Sequence, residues 1–479
     1  MPYSDLREYM NRLEEKGELK RIKAEVDWNL EMGAIMRRAS DLREPALLFE
    51  NIKGYSPDYR VLANSVAASK TSAYTRCAIA LDLPPDTHPL QIVDEMVKRI
   101  SNPIKPVLVN KAPCKENILK GNDVDIYRFP VGFYRSIDGG RFIGTWHATI
   151  NKDPDTGWVN WGMYRHQVHD KQTLGFLAHP GQHGPGIYYQ KYESRGNPMP
   201  IAIALGMEPC CTFVSQSMIG AYVNEVDIAG GLRGKPVELV KCETCDLEVP
   251  ATSEIVIEGE VLPHERRDEG PFGEYTGYSA SERGPRPIIH VKCITHRNKP
   301  ILPVANPGKP FDDNTFIYAV CLSAALTTEI RKLGIPFKSL FITPETMAVI
   351  VSAKETYPGF VHTLSSAIWG SKTGIYRPTI IVVGDDVDVT KPEEVLWAMT
   401  TRMHPVRDIH VKKRAPSHPL FPFISPEERK DLVGAAVCFD ATFPFEWKDG
   451  APKIVDFERS WPDNIKQLVL SKWKDYGFK

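Results

Sequence analysis

The chain reads Glu-Gly-Pro-Phe-Gly-Glu from Glu269 to Glu274, and this hexapeptide is its most informative feature. Glycine and proline keep the segment out of a regular helix, so both acids can point at one place. Neighbouring carboxyl groups shift each other's proton affinity, and an arginine between them can hold one ionised while the other exchanges protons. The upstream motif Asn160–Arg165 ends in an arginine. Together these segments predict acid–base chemistry on an anionic substrate.

The composition indicates a soluble enzyme of two or three domains. The chain has 479 residues, of which 42% are hydrophobic and 10% aromatic, and this length allows substantial cores. Its 59 Lys and Arg residues against 60 Asp and Glu residues give a net charge of −1. Because no basic excess is present to attract polyanions, we expect neither a nucleic acid nor a membrane as partner.

Targeting signals and cysteine usage predict a cytoplasmic protein. The first residues show no basic stretch followed by an apolar one, so no signal peptide is expected. Apolar runs such as Ile201–Leu205 and Ile380–Val383 are far shorter than the ~20 residues that span a bilayer. Nine cysteines are scattered along the chain, and Cys242–Cys245 is the only CxxC motif. Without a second pair, this pattern favours reduced core thiols over a zinc site.

The hydrophobic pattern predicts a mixed α/β (α+β) fold with three domains. Residues 1–110 alternate helical and strand patterns, beginning with a helix over 4–16, and form an N-terminal α/β segment. Residues 111–305 contain short β-rich runs separated by glycine, proline and aspartate, which is typical of a mainly antiparallel barrel or split barrel. A linker from 102 to 113 would join these two parts.

Residues 306–479 return to an α/β pattern. We expect a helix from Phe316 to Leu333, a buried strand over Thr379–Val383, and a following helix with Pro392 in its first turn. The tail from Asp463 to Tyr476 is amphipathic and predicts a terminal helix. That helix would dock either on a partner subunit or on its own domain, and the pattern favours neither.

Several common catalytic and nucleotide signatures are absent. No GxGxxG follows a strand, so a Rossmann site has no support. The segment Gly370–Gly374 contains Gly-Ser-Lys-Thr but lacks the earlier glycine of a P-loop. His179 and His183 are separated by proline and glycine and lack the glutamate of a helical zinc-protease motif. No Gly-x-Ser-x-Gly elbow supports serine hydrolysis.

A mixed oxygen and nitrogen ligand set is possible. Asn160, His183 and Glu225 offer an amide oxygen, an imidazole and a carboxylate, which suit Mn²⁺ or Mg²⁺ better than a thiolate metal. Such ions complete their shells with water and phosphate oxygens, so this site would expect a phosphorylated cofactor. From spacing alone, the trio is more readily explained as a coincidence in a chain with 13 histidines.

Several motifs occur together in a fixed order. Asn160–Arg165 is followed by Lys241–Thr244, by Val249–Glu254 and then by Glu269–Glu274. In this order and spacing the chain resembles the UbiD-type decarboxylases, which act on aromatic and α,β-unsaturated acids. The resemblance covers nearly the whole chain, up to the closing segment Trp473–Gly477. It implies a flavin-reductase-like split barrel for the middle domain, a homo-oligomer (dimer or hexamer), and an active site between the middle and C-terminal domains.

The resemblance also implies site residues and cofactors: prenylated FMN, Mn²⁺ (or Mg²⁺) and K⁺. It implies a catalytic triad of Arg165, Glu269 and Glu274, and divalent-ion ligands Asn160, His183 and Glu225. Cofactor-binding positions would be Thr145, Met163, Arg165, Gln182, His183, Ser217, Met218 and Lys372, of which Lys372 would contact the phosphate. Backbone carbonyls of Trp161, Ser217, Met218 and Arg402 would hold potassium. Tyr275 would line the substrate pocket.

These residues make chemical sense for a reversible, non-oxidative decarboxylation. Loss of CO₂ from an sp² carbon needs an electron sink, which a covalent adduct with prenylated FMN would supply. Arg165 would bind the carboxylate, Glu269 would orient Arg165, and Glu274 would protonate the carbon. An aromatic residue at Tyr275 could stack on a ring or bond to a phenol, which favours a hydroxybenzoate-like acid over a cinnamate-like one.

Two other functions stay open. The chain could be a non-catalytic or accessory subunit of a UbiD-type carboxylase complex, although a complete set of triad and metal positions argues against this. It could also be an FMN-dependent reductase that uses the split barrel with plain FMN. For the decarboxylase, we expect a small aromatic carboxylic acid as substrate and a flavin prenyltransferase as supplier of the cofactor. Benzoate-like, heteroaromatic and aryl-CoA acids, and both directions of reaction, all remain possible.

Overall fold

The computed structural model of the protein describes residues 3–279, 282–447 and 450–478. Its architecture is a mixture of helices and sheets, so the predicted fold class is confirmed. The N-terminal elements are α1 (Leu6–Glu15), β1 (Leu19–Ile22), α2 (Glu31–Asp41), β2 (Ala46–Phe49), β3 (Arg60–Ala63), α3 (Thr75–Ala80) and α4 (Pro89–Ile100). Buried Leu6, Tyr9, Met10 and Leu13 give α1 the apolar face that its sequence predicts.

The central part is rich in antiparallel strands. Its strands are β4 (Val107–Leu108), β5 (Asn117–Lys120), β6 (Phe142–Gly144), β7 (His147–Lys152), β8 (Val159–Gly162), β9 (His166–Gln167), β10 (Thr173–Gly175), β11 (Met199–Leu205), β12 (Glu238–Lys241), β13 (Glu248–Pro250), β14 (Ile255–Glu269), β15 (Gly284–His296) and β16 (Ile301–Val304). Its α-helices are α5 (His183–Ile187), α6 (Pro209–Gln216) and α7 (Glu225–Arg233). A π-helical turn, Tyr188–Tyr192, follows α5.

The main central sheet has seven strands in the order β10-β15-β14-β11-β7-β8, with β5 paired to β15. Both faces of β11 are buried, because Ile201 and Ile203 pack into one hydrophobic core while Ala202 and Ala204 pack into another. This alternation follows from the two-residue period of a strand. The long strand β14 ends at Glu269, so the sheet delivers the first acid of the hexapeptide to its edge.

Two strand pairings cross the predicted boundaries between the three domains. β16 leaves the central part and pairs in parallel with β3, in a four-stranded sheet of order β1-β2-β3-β16. The segment expected to be a linker contains β4, which pairs in parallel with β12. The remaining short helices are 3₁₀ turns at Pro113–Lys115, Gly121–Asp123, Ile126–Arg128, Glu193–Arg195 and Phe445–Trp447.

The C-terminal part is a five-stranded sheet of order β17-β18-β19-β21-β20 with helices around it. Its elements are α8 (Asp313–Lys332), β17 (Ser339–Ile342), β18 (Val349–Ser352), α9 (Phe360–Gly370), β19 (Thr379–Val383), α10 (Pro392–Arg402), β20 (Ile409–Pro416), α11 (Pro426–Asp431), β21 (Val433–Ala441), α12 (Phe457–Ser460) and α13 (Asp463–Ser471). The predicted strand and both predicted helices before the tail are confirmed, and Pro392 occupies the first turn of α10.

The terminal helix α13 has no buried residue among those described, and its Lys466 Nζ donates to the carbonyl oxygen of Glu458 at 2.8 Å. Trp461, Leu468, Leu470 and Trp473 expose 48%, 46%, 61% and 41% of their surfaces. The alternative in which this helix docks on its own domain is therefore not observed. No helix in the described part of the chain combines the length and apolar character needed to cross a membrane.

Candidate active site

The three side chains predicted to form a catalytic triad meet in the fold. Arg165 donates two hydrogen bonds to Glu269, from Nε to Oε1 at 2.8 Å and from Nη2 to Oε2 at 2.9 Å. Its Nη1 donates to Glu274 Oε1. All three residues are buried, with relative exposures of 7%, 1% and 7%. The guanidinium is therefore held between two carboxyl groups in a dry environment, and a bidentate grip of this kind fixes its plane.

The backbone of the hexapeptide explains how both acids reach one arginine. Gly270 has a φ of +84°, a conformation that glycine adopts readily, and its N–H donates to Gln167 Oε1 at 2.7 Å. The N–H of Gly273 donates to Asp138 Oδ1 at 3.0 Å. Gly139 passes so close beneath the turn that a Cβ there would lie 1.9 Å from the carbonyl oxygen of Gly270. The turn is thus anchored on both sides of Pro271.

Burial and pairing oppose each other in this cluster. Burial works against the charge of Arg165, but Glu274 and Glu269 outweigh it and raise the pKa of the guanidinium above its ordinary value. Burial also raises the pKa of Glu274 above the usual value of a glutamate, although Arg165 acts in the opposite direction. A carboxyl group whose pKa is raised keeps its proton to higher pH, which suits a general acid.

Two adjoining cavities meet at this cluster. One is lined by residues that include Thr145, Arg165 and Glu274. The other is lined by residues that include Asn160, His183, Glu225 and Lys372. They share seven lining residues: Met163, Tyr164, Gln182, Gln216, Tyr275, Tyr318 and His418. The fold therefore places an acid–base cluster at one end and a candidate ion-binding cluster at the other end of one elongated space.

The residues at the ion-binding end fit a divalent cation. Glu225 is buried, accepts a hydrogen bond from the N–H of Trp161 at 3.1 Å, and has no ion-pair partner among the residues that are described. Burial raises its pKa to about 8. Asn160 donates Nδ2 to Asn151 at 3.0 Å, an orientation that leaves its Oδ1 to accept an ion. With the imidazole of His183, these groups form the ligand set expected for Mn²⁺ or Mg²⁺.

The remaining candidate cofactor positions lie around the same space. Lys372 follows α9, and burial lowers its pKa. Gln182 lines both cavities, and its Oε1 is buried without a hydrogen-bond partner in the described structure. Met163 accepts a bond from Gln216 at 2.8 Å, and Thr145 accepts one from the N–H of Ala305 at 3.1 Å. A polar atom without a partner, beside a lysine, is consistent with a polar ligand.

Three of the four positions predicted for potassium line the candidate ion-binding cavity: Trp161, Ser217 and Met218. The side chain of Arg402 lies beside β19, where its guanidinium donates two hydrogen bonds to Asp386, at 2.9 and 2.6 Å. Its plane also lies over Trp397, 4.7 Å from the ring centroid. The potassium site concerns backbone carbonyls rather than side chains, and it stays a prediction.

The aromatic wall of the cavity includes residues that sequence reasoning missed. Tyr275, the predicted pocket residue, packs against Tyr318 with ring centroids 4.9 Å apart, and against His418 at 6.3 Å. Burial lowers the pKa of His418 to about 3, so its imidazole is neutral at ordinary pH. Tyr318 lies on α8, where its spacing indicates only a helical core position. His418 lies in an irregular segment, so no local pattern marks it.

Two further polar atoms face this wall without partners. His179 Nε2 and Asn314 Oδ1 are buried and have no hydrogen-bond partner in the part of the chain that is described. Both residues line the cavity that contains Arg165 and Glu274. Burial lowers the pKa of His179 to about 4, so this ring is also neutral. Buried polar groups are normally paired, so these two atoms are exceptions in residues that line the cavity.

Profiles of one protein family match most of the chain. The N-terminal domain of 3-octaprenyl-4-hydroxybenzoate carboxy-lyase (UbiD) matches residues 10–96. The Rift-related domain of the same family matches 105–310, and its C-terminal domain matches 315–441. All three matches occur in the order of the family, and the second covers the motifs from Asn160 to Glu274.

Individual relatives span nearly the full length. The pyrrole-2-carboxylic acid decarboxylase of Pseudomonas aeruginosa is 32% identical over 488 residues, covering 99% of this chain and 98% of that protein. The vanillic acid decarboxylase of Sedimentibacter hydroxybenzoicus, in a closed form, superposes with a TM-score of 0.89 at 31% identity, covering 99% of each chain. An evolved dimeric form of the UbiD-class enzyme HmfF from Pelotomaculum thermopropionicum, in complex with prFMN, gives 0.79 at 30% identity over 95% and 97%.

Proposed function

Because the chain belongs to the UbiD family of carboxy-lyases, we propose that it decarboxylates a hydroxybenzoate-like aromatic acid, reversibly and without net oxidation, using prenylated FMN. The observation that carries this proposal is the buried arrangement of Arg165 between Glu269 and Glu274. This cluster faces a cavity whose far end offers ligands for a phosphate-bound cation. The solved relative bound to prFMN supports the choice of cofactor.

Arg165 would bind the substrate carboxylate. Glu269 engages Nε and Nη2, so the guanidinium is held with its Nη1 side directed toward Glu274 and the cavity. The substrate carboxylate would replace Glu274 as the partner on that side, which is favourable when Glu274 is neutral. Charge-assisted bonds in a dry cavity are stronger than those exposed to water. Burial favours the neutral, protonated form of Glu274. In that form Glu274 would carry the proton to be donated and would not compete, as an anion, with the substrate carboxylate for Arg165.

Glu274 would deliver the proton to the ring carbon that CO₂ has left. When bound, prenylated FMN would supply the electron sink that an sp² carbon lacks. A single positioned acid typically contributes ~10²–10⁴-fold in rate. Asn160, His183 and Glu225 would hold a divalent ion, Mn²⁺ or Mg²⁺, on the cofactor phosphate, with Lys372 beside it. Carbonyl groups near Trp161, Ser217 and Met218 would hold K⁺ on the same side of the cavity.

The wall opposite the acids supports a hydroxylated ring. Tyr275 and Tyr318 form an aromatic surface, and His418 lies against it with a neutral imidazole. The unpartnered atoms of His179 and Asn314 offer hydrogen bonds to a phenolic hydroxyl. A purely apolar ring would leave these groups without partners, which is unfavourable by about 1–3 kcal/mol for each buried polar group. A hydroxybenzoate therefore fits this wall better than an unsubstituted acid.

We also propose a cytoplasmic homo-oligomer, either a dimer or a hexamer. The exposed apolar side chains of α13 and the preceding residues support association with a second copy, because such surfaces are unfavourable in water. A flavin prenyltransferase would supply the cofactor before or during folding.

The decisive experiment is expression of the full chain with and without a flavin prenyltransferase, followed by assays of CO₂ release. The substrates should include 4-hydroxybenzoate, benzoate, cinnamate and pyrrole-2-carboxylate, each at matched concentration. We expect turnover only with the prenylated cofactor, and the highest kcat/KM for a hydroxylated ring. Glu274→Gln should lower turnover by ~10²–10⁴-fold while the bound flavin and its absorption spectrum stay unchanged.

Four results would contradict the proposal or one part of it. Turnover with plain FMN and NAD(P)H would indicate a reductase. No turnover of any acid by the reconstituted protein would indicate an accessory subunit. Undiminished turnover by Glu274→Gln would remove this residue as the proton donor. A preference for pyrrole-2-carboxylate would leave the decarboxylase but correct the substrate class.

A further inference from the structure

The CxxC motif forms a distinct cluster away from the Arg165 site. Residues Cys242 to Cys245 lie in the turn between β12 and β13, and their two sulfur atoms lie within 4.8 Å of each other. All nine cysteines are free, and these two are the ones that are partly exposed, whereas the other seven are buried. Neither thiol lines the cavities that contain the acid–base and ion-binding clusters. Both thiols are free and pack against a hydrophobic core without being fully buried in it.

A third ligand group lies directly beneath the turn. Glu258 extends from the neighbouring strand β14 and exposes 1% of its surface. One donor atom from each of Cys242, Cys245 and Glu258 lies within 4.8 Å of the others. In the sequence Glu258 lies 13 positions after Cys245, on a strand of a different sheet. The three groups meet because the β12–β13 turn packs against β14 and bonds to the Glu258 carboxylate through its backbone N–H groups.

The turn itself orients the carboxylate. The N–H of Glu243 donates to both oxygens of Glu258, at 2.8 and 2.9 Å. The N–H and the hydroxyl of Thr244 both donate to Oε2, each at 2.7 Å. Oε1 therefore receives one shared hydrogen bond and retains the capacity to bind an ion, because a carboxylate oxygen has two lone pairs. The carboxylate is rigidly positioned before any ion arrives.

The charge of this carboxylate is not matched by a cation in the described residues. Lys115 and Lys120, the nearby lysines, both pair with Glu243, at 2.7 and 2.9 Å. No ion pair to Glu258 is found among the described parts of the chain. The buried carboxylate and the two thiols therefore offer ligand atoms to a cation, and the described residues supply no such cation.

We infer that Cys242, Cys245 and Glu258 form a binding site for a borderline-soft divalent cation of the zinc type. Two thiolates and one carboxylate supply three ligands of a tetrahedral set, and the partly exposed side of the turn leaves the fourth position to water. Binding would release the protons of both thiols to solvent. The ion would fasten the β12–β13 turn to β14, the strand that carries Glu269 at its far end. This site is independent of the proposed decarboxylation.

The test uses the full chain, dialysed against zinc under reducing conditions and then against buffer without zinc. We expect bound zinc with two sulfur neighbours at ~2.3 Å by X-ray absorption spectroscopy, whereas nitrogen and oxygen ligands lie at ~2.0–2.1 Å. The ion-binding cluster at Asn160 contains no sulfur, so zinc bound there would not give this signal. In Cys245→Ser the sulfur signal should fall to one neighbour or disappear. Cys438→Ala, a buried cysteine in β21, serves as the matched control and should retain both.

A second measurement needs no variant and therefore does not depend on folding of a mutant. Zinc should protect Cys242 and Cys245 from alkylation by iodoacetamide in the native wild-type chain, as read by peptide mass spectrometry. Absence of sulfur neighbours around zinc, equal alkylation with and without zinc, or unchanged zinc binding by Glu258→Gln would each overturn the inference. If the freshly reduced protein forms a Cys242–Cys245 disulfide and then binds no zinc, the inference is also overturned. That result would indicate a redox pair instead.

Discussion

The two ends of the active-site cavity handle buried charge in opposite ways. At one end, Arg165 is paired with Glu269 and Glu274, so the chain supplies its own positive charge. At the other end, Glu225 is buried without a cationic partner in the described residues, and burial raises its pKa to about 8. The comparison teaches that the polypeptide itself neutralises the charge at the first end, whereas the second end holds a buried carboxyl group that the proposed divalent ion would pair. Each end should therefore respond differently to loss of its charge.

The largest effect is expected from Arg165→Met. Methionine keeps an unbranched apolar stem, shorter than that of arginine, but leaves two buried acids without their cation, and breaking a buried pair in this way costs about 3–5 kcal/mol. Urea unfolding of the chain without cofactor should show this loss, and turnover should disappear with it.

The matched control for that prediction is Arg195→Met, which removes an exposed arginine paired with Asp155. Exposed pairs contribute little because water screens them, so this control should barely change stability. Equal effects of the two variants would mean that the triad is not preorganised.

The opposite response is expected from Glu225→Gln. The amide keeps an oxygen for the N–H of Trp161 but carries no charge, so the chain without metal should be at least as stable as the wild type. The variant should lose the stabilisation by Mn²⁺, which for a tight site is about 2.7 kcal/mol at an ion concentration 100 times the Kd. Thermal unfolding with and without Mn²⁺ measures both. Asp227→Asn, on the same helix α7, is the control and should keep the response to Mn²⁺.

The pH dependence of turnover sharpens the role of the paired end. The pKa of Glu274 is raised, chiefly by burial, so its protonated form persists above the usual range of a glutamate. If this form donates the proton, kcat/KM should fall tenfold per pH unit once the pH exceeds that raised pKa. A kcat/KM profile over pH 5–9 gives the alkaline limb. A fall in kcat/KM that begins at the ordinary glutamate pKa of ~4.3 would contradict the assignment. A flat profile, measured with a substrate that dissociates faster than it reacts, would contradict it as well.

The smallest effect is expected from Tyr275→Phe, which alters the wall between the two ends. A neutral hydrogen bond contributes about 0.5–1.5 kcal/mol, so kcat/KM for 4-hydroxybenzoate should fall by roughly 2- to 12-fold. For benzoate, which has no hydroxyl to bind, the change should be negligible. The ratio of the two kcat/KM values checks this prediction, and Tyr376→Phe, whose ring lines the ion-binding cavity beside His418, gives a comparison within the same wall.

The sequence predicts the acid–base end better than the wall. Glycine and proline between Glu269 and Glu274 already indicate a turn that can bring two acids together, and the fold has such a turn. Tyr318 and His418 could not be found this way, because they reach the cavity from α8 and from an irregular segment far along the chain. Which C-terminal residues reach the cavity depends on how the C-terminal sheet packs against the central part of the molecule. No local sequence period encodes that packing.

The same limit applies to Glu258 and to Arg402. Glu258 joins the CxxC turn through packing between two sheets, so a count of cysteines could not reveal it. Arg402 was assigned from the resemblance for its backbone carbonyl, and that role stays a prediction; no local pattern indicates that its guanidinium binds Asp386 beside β19. Boundaries of regular elements were easier, since the strand Thr379–Val383 is a continuous buried apolar run with Gly384 after it.

The close passage of Gly139 under the turn has a practical consequence for redesign. Any larger residue at 139 would push the carbonyl of Gly270 away, and the N–H of Gly139 also holds Pro271 through a bond of 2.7 Å. A mutant library aimed at new substrates should therefore leave position 139 untouched and vary Tyr275, Tyr318 and His418. Those three side chains line the cavity beside Glu274, so they are the positions at which to vary the substrate.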